Sequence, residues 1–206
     1  MSQSETAQIY LITPKTTALG FYGQTLKPIL DAVDIACLRL GLVSDSEDDI
    51  KRHADALREI AYEFDVPVLL TDHYRLVTEL GLDGVHRTDG VQNLRDIRKE
   101  LGADSIIGSF CGASKHQGLN AGEIGVDYVS FGPVSPSNLS DETAAADLFQ
   151  WWTEMIELPV VAEGALSAER VSELKEFVDF FALGEEIWND EAAPLAKLTQ
   201  ILNPLN

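Results

Sequence analysis

A short apolar run recurs eight times along the chain, and each run is separated from the next by a polar or glycine-containing turn and a segment with helical periodicity. The predicted strands are residues 9–13, 35–40, 66–71, 84–86, 106–110, 128–134, 159–162 and 180–183. Continuous apolar strands that alternate with helices are typical of a parallel sheet covered by helices on both faces. Spacings of about 20 to 30 residues per unit suit a compact barrel, whereas a flavodoxin-like sheet would need fewer strands. The sequence therefore predicts an α/β chain folded as a (β/α)8 TIM barrel.

The segments between the strands carry helix signals of different strength. In the strongest, residues 47–64, apolar side chains such as Ile50, Ala54 and Leu57 recur at three- and four-residue steps and form one face. Ser46 stands at the N-cap position, with acidic residues behind it in the first turn. Further helices are predicted at residues 22–33, 73–80, 91–101, 141–156, 168–177 and 192–202, with a weaker one in the glycine-rich segment between strands five and six.

Length and charge limit the classes of protein to which the chain can belong. With 206 residues and no proline- or glycine-rich linker, the sequence predicts a single domain spanning residues 1–206. The net charge of −19 disfavours nonspecific binding to nucleic acid or anionic membrane, although an acidic surface also serves solubility. No apolar run approaches the roughly 20 residues of a membrane span, and residues 1–8 lack the layout of a signal peptide. Cys37 and Cys111 cannot make a disulfide framework, and we therefore expect a cytoplasmic setting. From the charge and the apolar runs we expect neither nucleic acid nor membrane as a partner.

In a (β/α)8 barrel the loops that follow the strands carry the chemistry. We therefore expect a ligand site at the mouth formed by the C-terminal ends of the strands. The positions that this rule selects are Arg39, Gly41, Asp72, His73 and residues 86–89, 109–115, 132–140, 163–165 and 184–186.

Four segments at these strands and loops resemble one family. They are residues 9–13 (IYLIT), 80–86 (LGLDGVH), 125–134 (GVDYVSFGPV) and 159–164 (PVVAEG). In their order and spacing they resemble the thiamine-phosphate synthases and their thiazole tautomerase relatives, over residues 9–188. The resemblance implies an enzyme that joins an aminopyrimidine diphosphate to a thiazole phosphate and releases pyrophosphate, with Mg²⁺. Such chemistry needs cations for the leaving pyrophosphate and backbone N–H groups for the thiazole phosphate.

The resemblance also assigns site residues. It places Asp72 and Asp89 as Mg²⁺ ligands, and it gives a second group of residues that bind substrate or phosphate. That second group is Arg39, Thr71, Ser109, Gly164, Ala165 and Gly184. Two alternatives stay open, since Arg39 could form an interior ion pair with Asp72, and Asp89 lies two residues before the ligand position, which Val91 occupies in strict register.

Several positions depart from the family pattern. After strand two the family has Gln, Arg and Lys at alternate positions, and here Cys37 and Gly41 stand in place of the Gln and the Lys. The family's Thr-Lys pair is replaced within residues 136–140. Phe110 stands where the family has a Ser, and Lys115 is either a displaced positive charge or a solvent-facing side chain. After strand eight a Ser gives way to Gly184, Glu185 and Glu186. Together with Glu163, these acids could surround the place where a phosphate should dock, and like charges about 4 Å apart repel by about 1 kcal/mol even in water.

Three functional hypotheses follow. The first is a divergent thiamine-phosphate synthase acting on small phosphorylated substrates. The second is a barrel that binds a thiamine-related ligand or a partner without catalysis, and the third is an enzyme of altered specificity for a less anionic substrate. Tautomerase action would need a base at the mouth, for which His86 and His73 are candidates. A homodimer is an expectation from the family, and Phe149, Trp151 and Trp152 either cover a partner subunit or pack on the barrel.

Overall fold

A closed parallel barrel forms the centre of the molecule. The computed structural model describes residues 6–137, 142–189 and 193–205. In this part of the chain the strands are β1 (Gln8–Ile12), β2 (Cys37–Leu40), β3 (Val68–Thr71), β4 (Gly84–Arg87), β5 (Ile106–Phe110), β6 (Tyr128–Phe131), β7 (Val160–Glu163) and β8 (Phe180–Leu183). Each strand pairs in parallel with the next, and β8 pairs with β1. The predicted (β/α)8 barrel is confirmed.

Helices cover the outside of the barrel. They are α1 (Lys27–Ala32), α2 (Glu47–Tyr62), α3 (Tyr74–Leu80), α4 (Leu94–Leu101), α5 (Lys115–Ile124), α6 (Ala146–Met155), α7 (Ala168–Leu174), α8 (Glu185–Trp188) and α9 (Pro194–Leu202). The Ser46 side chain caps α2 by accepting from the Asp49 N–H at 3.3 Å, as predicted. The apolar face of α2, with Ile50, Ala54 and Leu57, is buried against the sheet.

The structure differs from the predicted helices at several places. The predicted helix at residues 22–33 begins as a π-helical turn, Tyr22–Leu26, before it continues as α1. The predicted helix at 91–101 begins only at Leu94, because Asn93 takes a left-handed conformation with φ 56°. The weak segment between β5 and β6 is a full helix, capped by the Ser114 side chain and ended by a left-handed Gly125. The four-residue helix α8 was not predicted. The predicted helices at 141–156 and 192–202 begin at residues outside those that the structure describes.

The barrel interior is filled rather than open. A lumenal cluster consists of Tyr10, Cys37, Leu69, Tyr128, Val161 and Ala182. Gly108 makes room for it, since a Cβ at that position would lie 2.0 Å from the Tyr128 ring. This packing closes the lower part of the lumen and leaves space at the C-terminal ends of the strands.

The aromatic side chains of α6 pack on the barrel. Phe149 and Trp152 are fully buried, and the Trp152 indole N–H donates to the Leu158 carbonyl at 2.9 Å. Half-buried Trp151 has the Lys115 ammonium 4.5 Å from its ring centroid. These rings therefore serve the fold within one chain, and a homodimer stays a prediction. In the described part of the chain no helix has the length and apolar character needed to span a bilayer.

Candidate functional site

A cavity of about 370 Å³ opens at the C-terminal ends of the strands, where the sequence predicts it. We call it the mouth cavity. Its described lining residues are Ile12, Thr13, Lys15, Arg39, Gly41, Val43, Thr71, Asp72, Thr88, Ser137, Glu163, Gly164, Ala165, Ala182, Gly184, Glu185 and Glu186. Five predicted binding residues and one predicted metal ligand are therefore brought together around a single space.

The floor of the mouth cavity carries a buried ion pair. The Arg39 guanidinium donates to both carboxylate oxygens of Glu163, with Nη2–Oε1 at 2.5 Å and Nη1–Oε2 at 3.3 Å. The two residues are only 5% and 6% exposed. Of the two alternatives for Arg39, an interior ion pair is present, but its partner is Glu163 and not Asp72. The charge of Arg39 is thus compensated before any ligand binds.

Below this pair a chain of polar side chains runs through the lumen. The Tyr128 hydroxyl lies 2.8 Å from His86 Nδ1 and 2.9 Å from the Tyr10 hydroxyl. Burial lowers the pKa of His86 well below its ordinary value, and the nearby charges of Arg39 and Arg87 lower it further. The imidazole is therefore neutral at physiological pH. Its Nε2 lies 3.8 Å from Glu163 Oε2, beyond hydrogen-bond length.

Cys37 belongs to the same buried cluster. Burial raises the pKa of its thiol to about 12. A thiol with such a pKa is protonated at neutral pH and is a poor nucleophile. Cys37 is thus a small lumenal side chain, in agreement with the sequence interpretation.

The two predicted metal ligands are both bound to Arg87. The Arg87 guanidinium forms ion pairs with Asp72, at 3.2 Å, and with Asp89. Asp72 adopts φ 62°, and its carboxylate accepts from the Thr88 N–H at 2.9 Å and from the Thr88 hydroxyl. Asp72 thus ties the loop after β3 to the loop after β4 and is held in place without a metal.

A Mg²⁺ site needs only a small number of protein ligands. This ion is commonly held by one or two carboxylates together with substrate phosphates and waters. Asp72 meets this need because it lies on the cavity wall, whereas Asp89 is not among the described residues of the lining. The residues therefore fit a site with one protein carboxylate. Within the described ranges, no group of three or more His, Cys, Asp or Glu side chains could hold a metal.

Two backbone N–H groups, one after β7 and one after β8, donate to the Glu186 side chain. Gly164 and Ala165 both have positive φ, 86° and 56°, although Ala165 carries a Cβ that disfavours this conformation. The N–H of Leu166 then donates to Glu186 Oε1 at 3.0 Å, and the N–H of Gly184 donates to Glu186 Oε2 at 2.9 Å. We call these two N–H groups the backbone cradle.

The three glutamates at the mouth point in different directions. Glu163 faces inward to Arg39, and Glu186 lies in the backbone cradle, while the exposed Glu185 forms an ion pair with Lys15 at 2.5 Å. Burial raises the pKa of Glu186, as does nearby Glu163, although the backbone N–H groups oppose the rise. All three glutamates line the mouth cavity, as the sequence suggested, although Glu163 and Glu185 are each paired with a cation.

Other predicted positions lie away from the cavity. The Ser109 hydroxyl is fully buried and donates to the Gly90 carbonyl at 3.0 Å. Lys115 lies on the outer helix α5 over Trp151, and His73 is exposed at the start of α3. None of these three is among the described residues that line the mouth cavity. The predicted role of Ser109 in binding substrate or phosphate stays a prediction, and the lining of the mouth cavity does not support it.

The sequence placed two residues at the mouth without indicating their contacts. Arg87 lies within the selected residues 86–89, but its ion pairs with Asp72 and Asp89 were not predicted. The direction of Glu186 had no signal, because it depends on the short helix α8. That helix is fixed by the buried Ile187 and by the Trp188 indole N–H, which donates to the Ile12 carbonyl at 2.7 Å.

Known proteins resemble this chain in sequence and in fold. The model of the family described as thiamine monophosphate synthase matches residues 9–187. A thiamine-phosphate synthase of Rhodospirillum centenum is 36% identical over 192 residues, covering 92% of this chain and 93% of the relative. One of Hyphomonas neptunium is 34% identical over 197 residues, covering 92% and 89%. A solved thiamine phosphate pyrophosphorylase from Pyrococcus furiosus superposes with a TM-score of 0.81 over 96% of both chains at 19% identity, which shows the shared fold. The chain belongs to the thiamine monophosphate synthase family.

Proposed function

We propose that this chain is a transferase of thiamine biosynthesis that joins an aminopyrimidine diphosphate to a thiazole at the mouth cavity. A C–N bond forms between the thiazole nitrogen and the pyrimidine methylene carbon, while the C–O bond breaks and its electron pair leaves with pyrophosphate. One observation carries the proposal: five residues from four strand ends that match the family's binding positions line a single cavity in a chain of that family. These residues are Arg39, Thr71, Asp72, Gly164 and Gly184.

The cations near the cavity have separate roles in this proposal. Arg39 places a positive charge at the cavity floor, but Glu163 partly neutralises it. Arg39 alone therefore cannot neutralise the negative charge that develops on the leaving pyrophosphate. Lys15 is half-exposed on a loop and can leave its surface ion pair with Glu185, since exposed pairs are worth only about 0–1 kcal/mol. Lys15 is therefore the described side chain best placed to approach a leaving pyrophosphate.

Mg²⁺ fits the same scheme through Asp72. The ion, when bound, would neutralise charge on the pyrophosphate oxygens. Asp72 would hold it from the cavity wall, with Thr71 beside it. Asp89 would join only after leaving Arg87, so this chain depends on one carboxylate where the family pattern has two. The diphosphate substrate is a small phosphorylated molecule, and the reaction is expected to require Mg²⁺.

The test is turnover by purified full-length protein. Aminopyrimidine diphosphate and Mg²⁺ are supplied with either thiazole phosphate or thiazole alcohol, and pyrophosphate release and the coupled product are measured. We expect Mg²⁺-dependent release of pyrophosphate in equal amount to product, and at least about tenfold slower release by Asp72→Asn. Folded protein that releases no pyrophosphate with either acceptor, across a range of Mg²⁺ concentrations, would refute the transferase.

A second candidate is a barrel that binds a thiamine-related ligand without turnover. It is favoured by the ion pair that holds Arg39 and by the carboxylate that fills the backbone cradle. A ligand that binds only the folded state raises stability by RT ln(1 + [L]/Kd). Thermal stabilisation by thiamine or its phosphates without pyrophosphate release would select this candidate.

A further inference from the structure

Barrels of this kind often bind phosphate between the loops after strands seven and eight, at the N-terminus of a short extra helix. In this chain the corresponding parts are the turn at 164–166 and the four-residue helix α8. The N–H groups of the backbone cradle converge on one spot, since both donate to a single carboxylate at 3.0 and 2.9 Å. That carboxylate belongs to Glu186, so a side chain of the protein already holds the position of an anion.

The backbone at Glu186 is held in place by the two residues that follow it. The next residue, Ile187, is fully buried, and Trp188 is tied to β1 through the Ile12 carbonyl. Glu186 itself is half-buried. The backbone of α8 therefore cannot swing outward without losing this packing.

The charges around the backbone cradle also disfavour a bound phosphate. The described lining of the mouth cavity holds four acidic and two basic side chains. Both bases are in ion pairs, Lys15 with Glu185 and Arg39 with Glu163. Among the described residues of the cavity wall, Arg39 is therefore held by Glu163, and Lys15, when it leaves Glu185, is assigned to the leaving pyrophosphate rather than to a phosphate dianion beside Glu186.

We propose that Glu186 fills the phosphate position of the acceptor subsite, so that this chain binds an uncharged hydroxyalkyl heterocycle, such as the thiazole alcohol, in place of its phosphate ester. The proposal rests on the proposed function, because it names the acceptor of that reaction. Glu186 excludes a phosphate dianion by repulsion when ionised and by its volume when protonated. The alcohol can donate a hydrogen bond to the Glu186 carboxylate, which a phosphate dianion cannot do.

Binding of the two acceptors decides the proposal. Dissociation constants of thiazole alcohol and thiazole phosphate are measured by calorimetry for the wild type, Glu186→Ala, Glu186→Gln and Glu79→Gln. We expect the wild type to bind the alcohol at least about tenfold more tightly than the ester. In Glu186→Ala the ester should gain at least about tenfold, and Glu186→Gln should gain less because the side chain still occupies the cradle. Glu79 lies on α3 and pairs with Lys51, so Glu79→Gln changes the net charge equally and should match the wild type.

The outcomes separate this proposal from the transferase. Wild-type protein that binds the ester as tightly as the alcohol, or as tightly as Glu186→Ala does, overturns it. If Glu186→Ala gains affinity for the ester but neither acceptor supports pyrophosphate release, Glu186 is confirmed as the excluding residue and the transferase activity fails. Should Glu186→Ala not fold, as judged by thermal denaturation, the wild-type preference and Glu186→Gln still decide.

Discussion

Arg39 and Glu163 meet across the barrel lumen from β2 and β7, strands that are not neighbours in the sheet. Such a buried pair adds little net stability compared with a well-packed apolar pair, because both charges lose their water. Removing one partner is different, since the other charge is then buried without compensation. The pair therefore acts mainly as a constraint that holds the cavity floor in one arrangement.

Substitution of Arg39 tests this constraint. Arg39→Met should lower the free energy of unfolding by about 3–5 kcal/mol, because Glu163 is left charged and buried. The double variant Arg39→Met/Glu163→Gln should recover a large part of this loss. Urea denaturation of both single variants and the double variant gives the coupling energy.

A surface pair supplies the control. Arg52 on α2 pairs with Asp49 at 2.8 Å while its side chain is 65% exposed, so Arg52→Met should cost less than about 1 kcal/mol. If Arg39→Met lowered the free energy of unfolding by an equally small amount, water would have to reach the Arg39–Glu163 pair in the lumen.

At the scale of elements, the turn after β7 and the short helix α8 together build the backbone cradle. Gly164 and Ala165 take two consecutive positive φ values, and this turn leads directly to the Leu166 N–H that Glu186 accepts from. Ala165 thus keeps the backbone shape of the turn while its Cβ opposes it, and this is strain held beside the site.

The strain predicts an asymmetric response at Ala165. Ala165→Val should lower the free energy of unfolding by about 1–2 kcal/mol, since a β-branched side chain is poorly tolerated at positive φ. Ala165→Gly should change it by less than about 1 kcal/mol, because relief of strain is offset by the extra freedom of the unfolded chain. Chemical denaturation measures both. Ala103→Val, at an exposed position without positive φ, should be nearly neutral, and an equal effect at the two valine substitutions would contradict the strain.

At the scale of the whole molecule, the barrel fold could be predicted from the sequence, whereas the contacts within the site could be predicted only in part. The barrel strands were found because each buried parallel strand is a continuous apolar run. The partner of Arg39 was missed because Glu163 lies 124 residues away, and only the register around the barrel brings the two together. Glu186 was placed near the mouth but not in the cradle, because four residues of α8 are too few to show a helical period.

The acidic surface predicts how the whole molecule responds to salt. A net charge of −19 on 206 residues disfavours the compact state through self-repulsion, and about 0.15 M salt shortens the screening length from about 30 Å at 0.01 M to about 8 Å. We therefore expect the thermal unfolding midpoint to rise as NaCl increases over this range, although exposed ion pairs weaken at the same time. Replacing three exposed acids opposite the mouth, as Glu100→Gln/Asp104→Asn/Glu157→Gln, should raise the low-salt midpoint and flatten its dependence on salt. A wild-type midpoint that falls with added NaCl would show that the ion pairs contribute more to stability than the self-repulsion removes. The acidic side chains would then stabilise the barrel on balance.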